Sequence, residues 1–172
     1  MMSVNDFVVI GADPGPRPGV VALRYSPPDN KGIRTLTAPP AIIQCTSNVV
    51  LVCIRAILPS DVGKIVIGYE LFEMRGRTAR TKHRGASEET SHMCGQLKTL
   101  ADHDHRIIIR HYKASDIKSW AIDERLDRLG LLDLTKGMTH ARDGARVAVF
   151  TARQTIAAPD PLSKTHRMEI PA

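Results

Sequence analysis

The chain has few aromatic residues, few cysteines and no long apolar run. Three Phe, three Tyr and one Trp make up 4% of its 172 residues, which leaves little for base-stacking platforms in any nucleic-acid binding. The three cysteines, Cys45, Cys53 and Cys94, are odd in number and show no C-x-x-C spacing. That argues against a disulfide framework and a zinc ribbon, and reads as small buried hydrophobes in a reducing cytoplasm. No stretch is apolar for the length needed to span a bilayer, so no membrane partner is expected. The amino terminus enters a strand-like run almost at once, so no signal or transit peptide is expected. Internal repeats and low-complexity tracts are also missing.

What is present suits one soluble domain. A length of 172 residues with 42% hydrophobic side chains can bury a sizeable core. Lys and Arg exceed Asp and Glu by 24 to 18, giving a formal charge of +6 and a pI near 9.5. Such a balance favours a polyanionic partner and says nothing about fold.

The patterning predicts a mixed α/β layout. Phe7 to Ala12 is nearly continuous apolar sequence, as in a central strand buried on both faces. Asp13-Pro-Gly-Pro-Arg-Pro-Gly19 is a turn, and Val20 to Tyr25 returns as the second strand of a hairpin. A third strand falls within Ile33–Cys45, where Pro39-Pro40 points to an edge or an interruption. Helical spacing runs from Ser47 to Leu58, and Pro59 ends it. Lys64–Glu70 is the next strand. A helix start is expected around Ser87–Thr90, running to Asp102. Arg106–Tyr112 is a fifth strand, Lys113–Gly130 holds one or two short helices, and Leu131–Thr139 reads as a connector. The last helix covers His140 to Thr155, with Ala141, Ala145, Ala148, Val149 and Ala152 on its apolar face. The expected domain is 1–156, with 157–172 as a flexible tail.

Two of the apolar runs stop at a single carboxylate, Asp13 and Glu70, and the last helix opens on His140-Ala-Arg-Asp143. Isolated acids where buried strands end are costly unless something compensates their charge. Singly, each has an ordinary reading. Asp-Pro-Gly is a common turn, a strand-end Glu is readily solvated, and an early helical Asp suits the macrodipole. Glu73 lies two loop residues further on and is the lesser candidate. His140 and Asp143, spaced i, i+3, project from one face and can ligate the same ion. Together the four make a carboxylate-rich set of the kind that prefers Mg²⁺ or Mn²⁺. Gly15 and Gly19 would let a phosphate approach beside Asp13. Directly after Glu70 come Arg75, Arg77, Arg80, Lys82 and Arg84, against one acid, Glu73. Such a cluster suits phosphate contacts next to a metal site.

In these motifs the chain resembles the RuvC-type Holliday junction resolvases of the ribonuclease H-like superfamily. The resemblance rests on Ile10-Gly-Ala-Asp13-Pro-Gly15, Tyr69-Glu70 and His140-Ala-Arg-Asp143-Gly-Ala-Arg-Val-Ala148, and covers about residues 5–155. Asp116-Ile-Lys118-Ser-Trp120-Ala-Ile-Asp123-Glu-Arg125-Leu is similar to bacteriophage and actinobacterial RuvC-like proteins. The resemblance implies a five-stranded mixed sheet flanked by helices and a homodimer. It implies two Mg²⁺ ions per active site, with Mn²⁺ as a substitute, and paired nicking of branched DNA, a four-way junction. Asp13, Glu70, His140 and Asp143 would be catalytic metal ligands, with Lys118 near the scissile phosphate. The location implied is the cytoplasm of a bacterium or phage-infected cell. Gly144 departs from the family, where Ala is usual, and is expected to loosen the first helical turn by up to about 1 kcal/mol.

Three alternatives stay open at this level. One is a catalytically silent junction-binding module on the same fold, although a binder has no need of three strand-end and helix-start acids. Another is a nuclease acting mainly on flaps, forks or other branched DNA. The third is an actin/hexokinase-like ATPase using Asp13-x-Gly15 for phosphate, which needs two domains and about twice the length.

Overall fold

Seven consecutive residues, Phe7–Asp13, form the central strand β1 of a computed structural model that describes residues 6–71 and 84–163. Val8, Ile10 and Ala12 point into one apolar cluster and Val9 into another, so β1 is buried on both faces, as its continuous apolar run requires. β2 (Gly19–Tyr25) pairs antiparallel with β1, and β3 (Ala41–Gln44) pairs antiparallel with β2. On the other side β4 (Lys64–Leu71) and β5 (Ile107–Lys113) run parallel to β1. The sheet order is β3-β2-β1-β4-β5, a five-stranded mixed sheet with helices on both faces. The short strand after Pro39-Pro40 sits at an edge, one of the two placements that prolines without ladder donors suggested.

Two layers cover the sheet. The helices α1 (Val50–Ile57) and α2 (Arg84–His103) close the face of Ile10, Ile54, Ile67, Met93 and Leu97. The other face packs against α6 (Thr139–Ile156), with α3 (Ala114–Trp120), α4 (Asp123–Arg128) and α5 (Leu131–Leu134) around it. The aromatics among the described residues serve this packing. Tyr25 and Phe150 are core residues, Phe7, Tyr112 and Trp120 lean against them, and Tyr69 lies in the opposite cluster.

Three expectations shift. The helix expected from Ser87 begins at Arg84, because a local capping preference is weak against continued helical hydrogen bonding. Leu131–Thr139, read as a connector, contains the single turn α5. Gly130, at φ 64°, reverses the chain before it, and fully buried Leu131 anchors it. The cysteines are free and half-buried rather than fully buried. The start of the expected tail is also tied down. Ala158 is part of the core, and Asp160 accepts two hydrogen bonds from Arg125, at 2.9 and 2.8 Å. Residues 164–172 lie outside the described residues. Among those described, no helix is long and apolar enough to cross a membrane.

Candidate active site at the carboxyl end of the central strands

Parallel pairing decides where the acids go. β1 and β4 run side by side with Ala12 opposite Tyr69, so Asp13 and Glu70 leave the sheet at the same edge. β5 adds Tyr112 opposite Glu70, and the chain then turns directly into α3. That turn brings the Lys118 ammonium to 3.9 Å from Glu70 Oε1.

The helix carrying the other two residues lies unusually close to the sheet. A Cβ added at Gly11 would stand 2.1 Å from Ala148 N and 2.2 Å from Gly144 O, and one at Gly68 would stand 2.0 Å from Thr151 Oγ1. At Gly19 it would meet His140 O at 1.9 Å. Three strands thus present bare backbone to α6. The helix answers with Gly144, where a Cβ would be 2.8 Å from Gly19 O and 3.3 Å from Gly11 O. By propensity Gly144 is a weak point, but the packing requires it. Close approach of main chains sets the choice, and the cost of about 1 kcal/mol in helix propensity is accepted at that position.

This contact delivers the first turn of α6 to Asp13. His140 Nδ1 lies 2.9 Å from Asp13 Oδ2. With the carboxylate accepting, Nδ1 carries the hydrogen of this bond. Asp143, one turn on, accepts from Arg146 Nη1 at 2.6 Å, and Arg146 Nη2 reaches Asp123 of α4 at 2.5 Å. Burial pushes the Asp13 carboxyl above the ordinary aspartate range; the hydrogen bond from His140 opposes that, and the negative charge of Asp143 adds to it. Glu70 is likewise raised, first by burial, with Lys118 opposing and the charges of Asp13 and Asp143 adding. Asp13 and Glu70 therefore both feel the charge of Asp143, and Glu70 also feels that of Asp13. A divalent cation would relieve the strain of three partly desolvated acids sharing one edge.

The donor chemistry, three carboxylates and one imidazole on three separate elements, fits a hard divalent ion. Among the described residues no three His, Cys, Asp or Glu side chains stand already closed on one point. Asp13 is engaged by His140, and Asp143 by Arg146.

Two solved structures share this architecture. T. thermophilus RuvC in complex with Holliday junction substrate superposes with a TM-score of 0.54 at 14% identity, over 87% of this chain and 95% of that one. The chain has the RuvC-type, ribonuclease H-like fold. Fowlpox virus resolvase, solved with its Holliday junction DNA, gives a TM-score of 0.50 at 11% identity, over 84% of this chain and 98% of that one. No protein-family model matches the chain, and no curated protein sequence does.

On this RuvC-type fold Asp13, Glu70, His140 and Asp143 come to one edge, with Lys118 beside them. Arg75, Arg77, Arg80 and Lys82 lie outside the described residues, as does Glu73. Arg84 opens α2. Sequence reasoning passed over Arg146, although its i, i+3 spacing from Asp143 was a signal. It also passed over Gln44, whose Oε1 accepts from Ala141 N at 3.1 Å across 97 residues of chain; no local pattern marks that pair.

Proposed function

We propose that the protein is a Mg²⁺-dependent, structure-selective DNA endonuclease that resolves four-way junctions by paired phosphodiester hydrolysis. The observation that carries this reading is the meeting of Asp13 and Glu70 at one edge, where the charge of Asp143 raises the proton affinity of both and that of Asp13 raises Glu70's, with His140 bonded to Asp13. A pure binding module gains nothing from bringing partly buried acids together, since their repulsion and desolvation cost stability.

In this reading Asp13, Glu70, His140 and Asp143 hold two Mg²⁺ ions, and Mn²⁺ substitutes. The bound ions supply Lewis-acid activation of a water and stabilisation of the leaving oxygen. The protein residues position the rest. His140 fixes the rotamer of Asp13 through Nδ1. Lys118, with 58% of its side chain exposed, offers a cation beside Glu70 to a phosphate of the scissile strand. Gly15 leaves open space next to Asp13, with nothing among the described residues within 4 Å of its would-be Cβ, so a sugar-phosphate backbone can approach. Arg75, Arg77, Arg80, Lys82 and Arg84 provide further phosphate contacts. A homodimer places two such sites on opposing strands of one branched DNA.

The deciding experiment uses a synthetic four-way junction with Mg²⁺ or Mn²⁺, flaps and forks alongside. Asp13→Asn is expected to abolish cleavage while gel-shift affinity for the junction stays near wild type. Continued cutting by that variant would remove Asp13 from the active site, and preferential cutting of flaps or forks would reassign the substrate.

A further inference from the structure

Three residues stand in one row across the sheet. Asp13 of β1 is in register with Gly19 of β2, and Gly19 with Gln44 of β3. The first turn of α6 lies across this row and touches all three. His140 Nδ1 meets Asp13, the His140 carbonyl sits over Gly19, and Ala141 N–H donates to Gln44 Oε1 at 3.1 Å. The contacts follow the direction of the strands' hydrogen bonding, so the edge strand and the catalytic strand grip neighbouring residues of the helix.

The helix needs that grip. The first four N–H groups of a helix have no partner within it, and a side chain at the N-cap usually satisfies one. Here the N-cap is Met138, with φ −115° and ψ 81°, and it makes no side-chain cap bond. Ala141 is fully buried, so water is a poor substitute partner for its amide. An edge-strand side chain thus does what Ser or Asp would do locally.

We infer that Gln44 is a positioning residue for the catalytic helix: as a remote N-cap it sets the place of His140, and through His140 the orientation of Asp13. This rests on the nuclease reading for its consequence, while the capping itself can be tested without it. Gln44 is two strands from Asp13 and touches neither metal ligand through its own side chain in the described contacts. Its effect runs through the backbone of the turn that carries His140.

The test compares wild type, Gln44→Met and Gln44→Glu. Methionine keeps length and apolar volume but offers the Ala141 N–H only a weak thioether acceptor. Glutamate restores a carboxyl oxygen at the helix N-terminus, where negative charge is favoured. Amide hydrogen exchange at Ala141 is expected to quicken about tenfold in Gln44→Met, as loss of one hydrogen bond implies, and to return towards wild type in Gln44→Glu. Turnover of the four-way junction is expected to fall roughly tenfold to a hundredfold, as for ångström-scale misplacement of a catalytic group, with junction affinity within about twofold. Rescue by glutamate separates positioning from mere bulk. Unchanged Ala141 exchange in Gln44→Met overturns the inference. So does a loss of cleavage that matches a uniform rise in exchange over the whole protein, because that marks general destabilisation. If wild-type protein cleaves no branched DNA, the nuclease reading fails, and exchange at Ala141 alone decides the cap.

Discussion

Replacing Gly19 by Ala tests the geometry of the site most directly, because it adds one methyl where the helix meets the sheet. The new Cβ would lie 1.9 Å from His140 O, 2.0 Å from His140 C and 2.3 Å from Ala141 N. These are backbone atoms, so no rotamer change relieves the clash. Ordinary contact begins near 3.4 Å, and the start of α6 must therefore retreat by about 1.5 Å. The His140–Asp13 bond is 2.9 Å long, and a lengthening of that size breaks it. Overpacking against backbone belongs at the upper end of the usual range, about 3 kcal/mol. For a domain of this size that corresponds to a fall in Tm of roughly 6–12 °C. Catalytic groups tolerate displacements of about 0.5 Å, and 1 Å costs on the order of a hundredfold in rate. Urea unfolding gives the stability, and junction cleavage measured well below the melting range gives the rate per folded molecule. Gly15→Ala is the comparison for stability, since nothing among the described residues lies within 4 Å of its Cβ position, and it should stay within about 0.5 kcal/mol of wild type. A Gly19→Ala protein with wild-type melting and wild-type cleavage would refute the close packing of α6 on β2.

Removing the charge of Asp13 should stabilise the fold while it destroys activity. Its folded proton affinity is raised, mainly by burial, so the folded state binds protons more readily than the unfolded chain, and stability falls as pH rises through that window. Asp13→Asn should therefore melt later than wild type near neutral pH without metal, by about 1 kcal/mol, and added Mg²⁺ should raise the wild-type Tm but leave the variant's unchanged. Equal responses to Mg²⁺ would place the ion elsewhere. The Arg125–Asp160 pair predicts the opposite pH behaviour, because Arg125 holds the Asp160 carboxyl below the usual aspartate range. Its contribution, about 1 kcal/mol for a bidentate surface pair, is present above the ordinary carboxylate range near pH 4 and is lost as pH falls through the lowered value. Asp160→Asn should flatten that part of the stability–pH curve, and an unchanged curve would show that the pair contributes nothing. Changing Arg75, Arg77 and Arg80 to Ala should weaken junction binding and reduce its salt dependence; an unchanged slope of log affinity against log salt would put the DNA path on another surface.

Much of the fold was legible because burial imposes pattern. β1 had to be a central strand since Val8, Val9 and Ile10 are all apolar and both faces are covered. Pro39-Pro40 pointed to an edge or an interruption, and β3 lies at the edge; α6 followed from the spacing of its alanines. The acids were legible as residue types in costly places. Whether they met was a matter of direction. Asp13 and Glu70 share an edge because β1 and β4 are parallel neighbours, and strand order is fixed by long-range packing that a local pattern does not contain.

The sequence by itself determined the elements, the ligand-type residues and their order along the chain, since each follows from local periodicity and side-chain chemistry. Tertiary structure alone decided the distances. It turned Gly144 from a weak helical residue into the point where α6 reaches the sheet. It supplied from β3 the cap that Met138 lacks, and it paired Arg146 with both Asp143 and Asp123. The physical reason is common to all three. Close backbone approach and hydrogen bonds across many residues depend on how layers pack, and a sequence pattern records which face of an element is buried but not what lies against it.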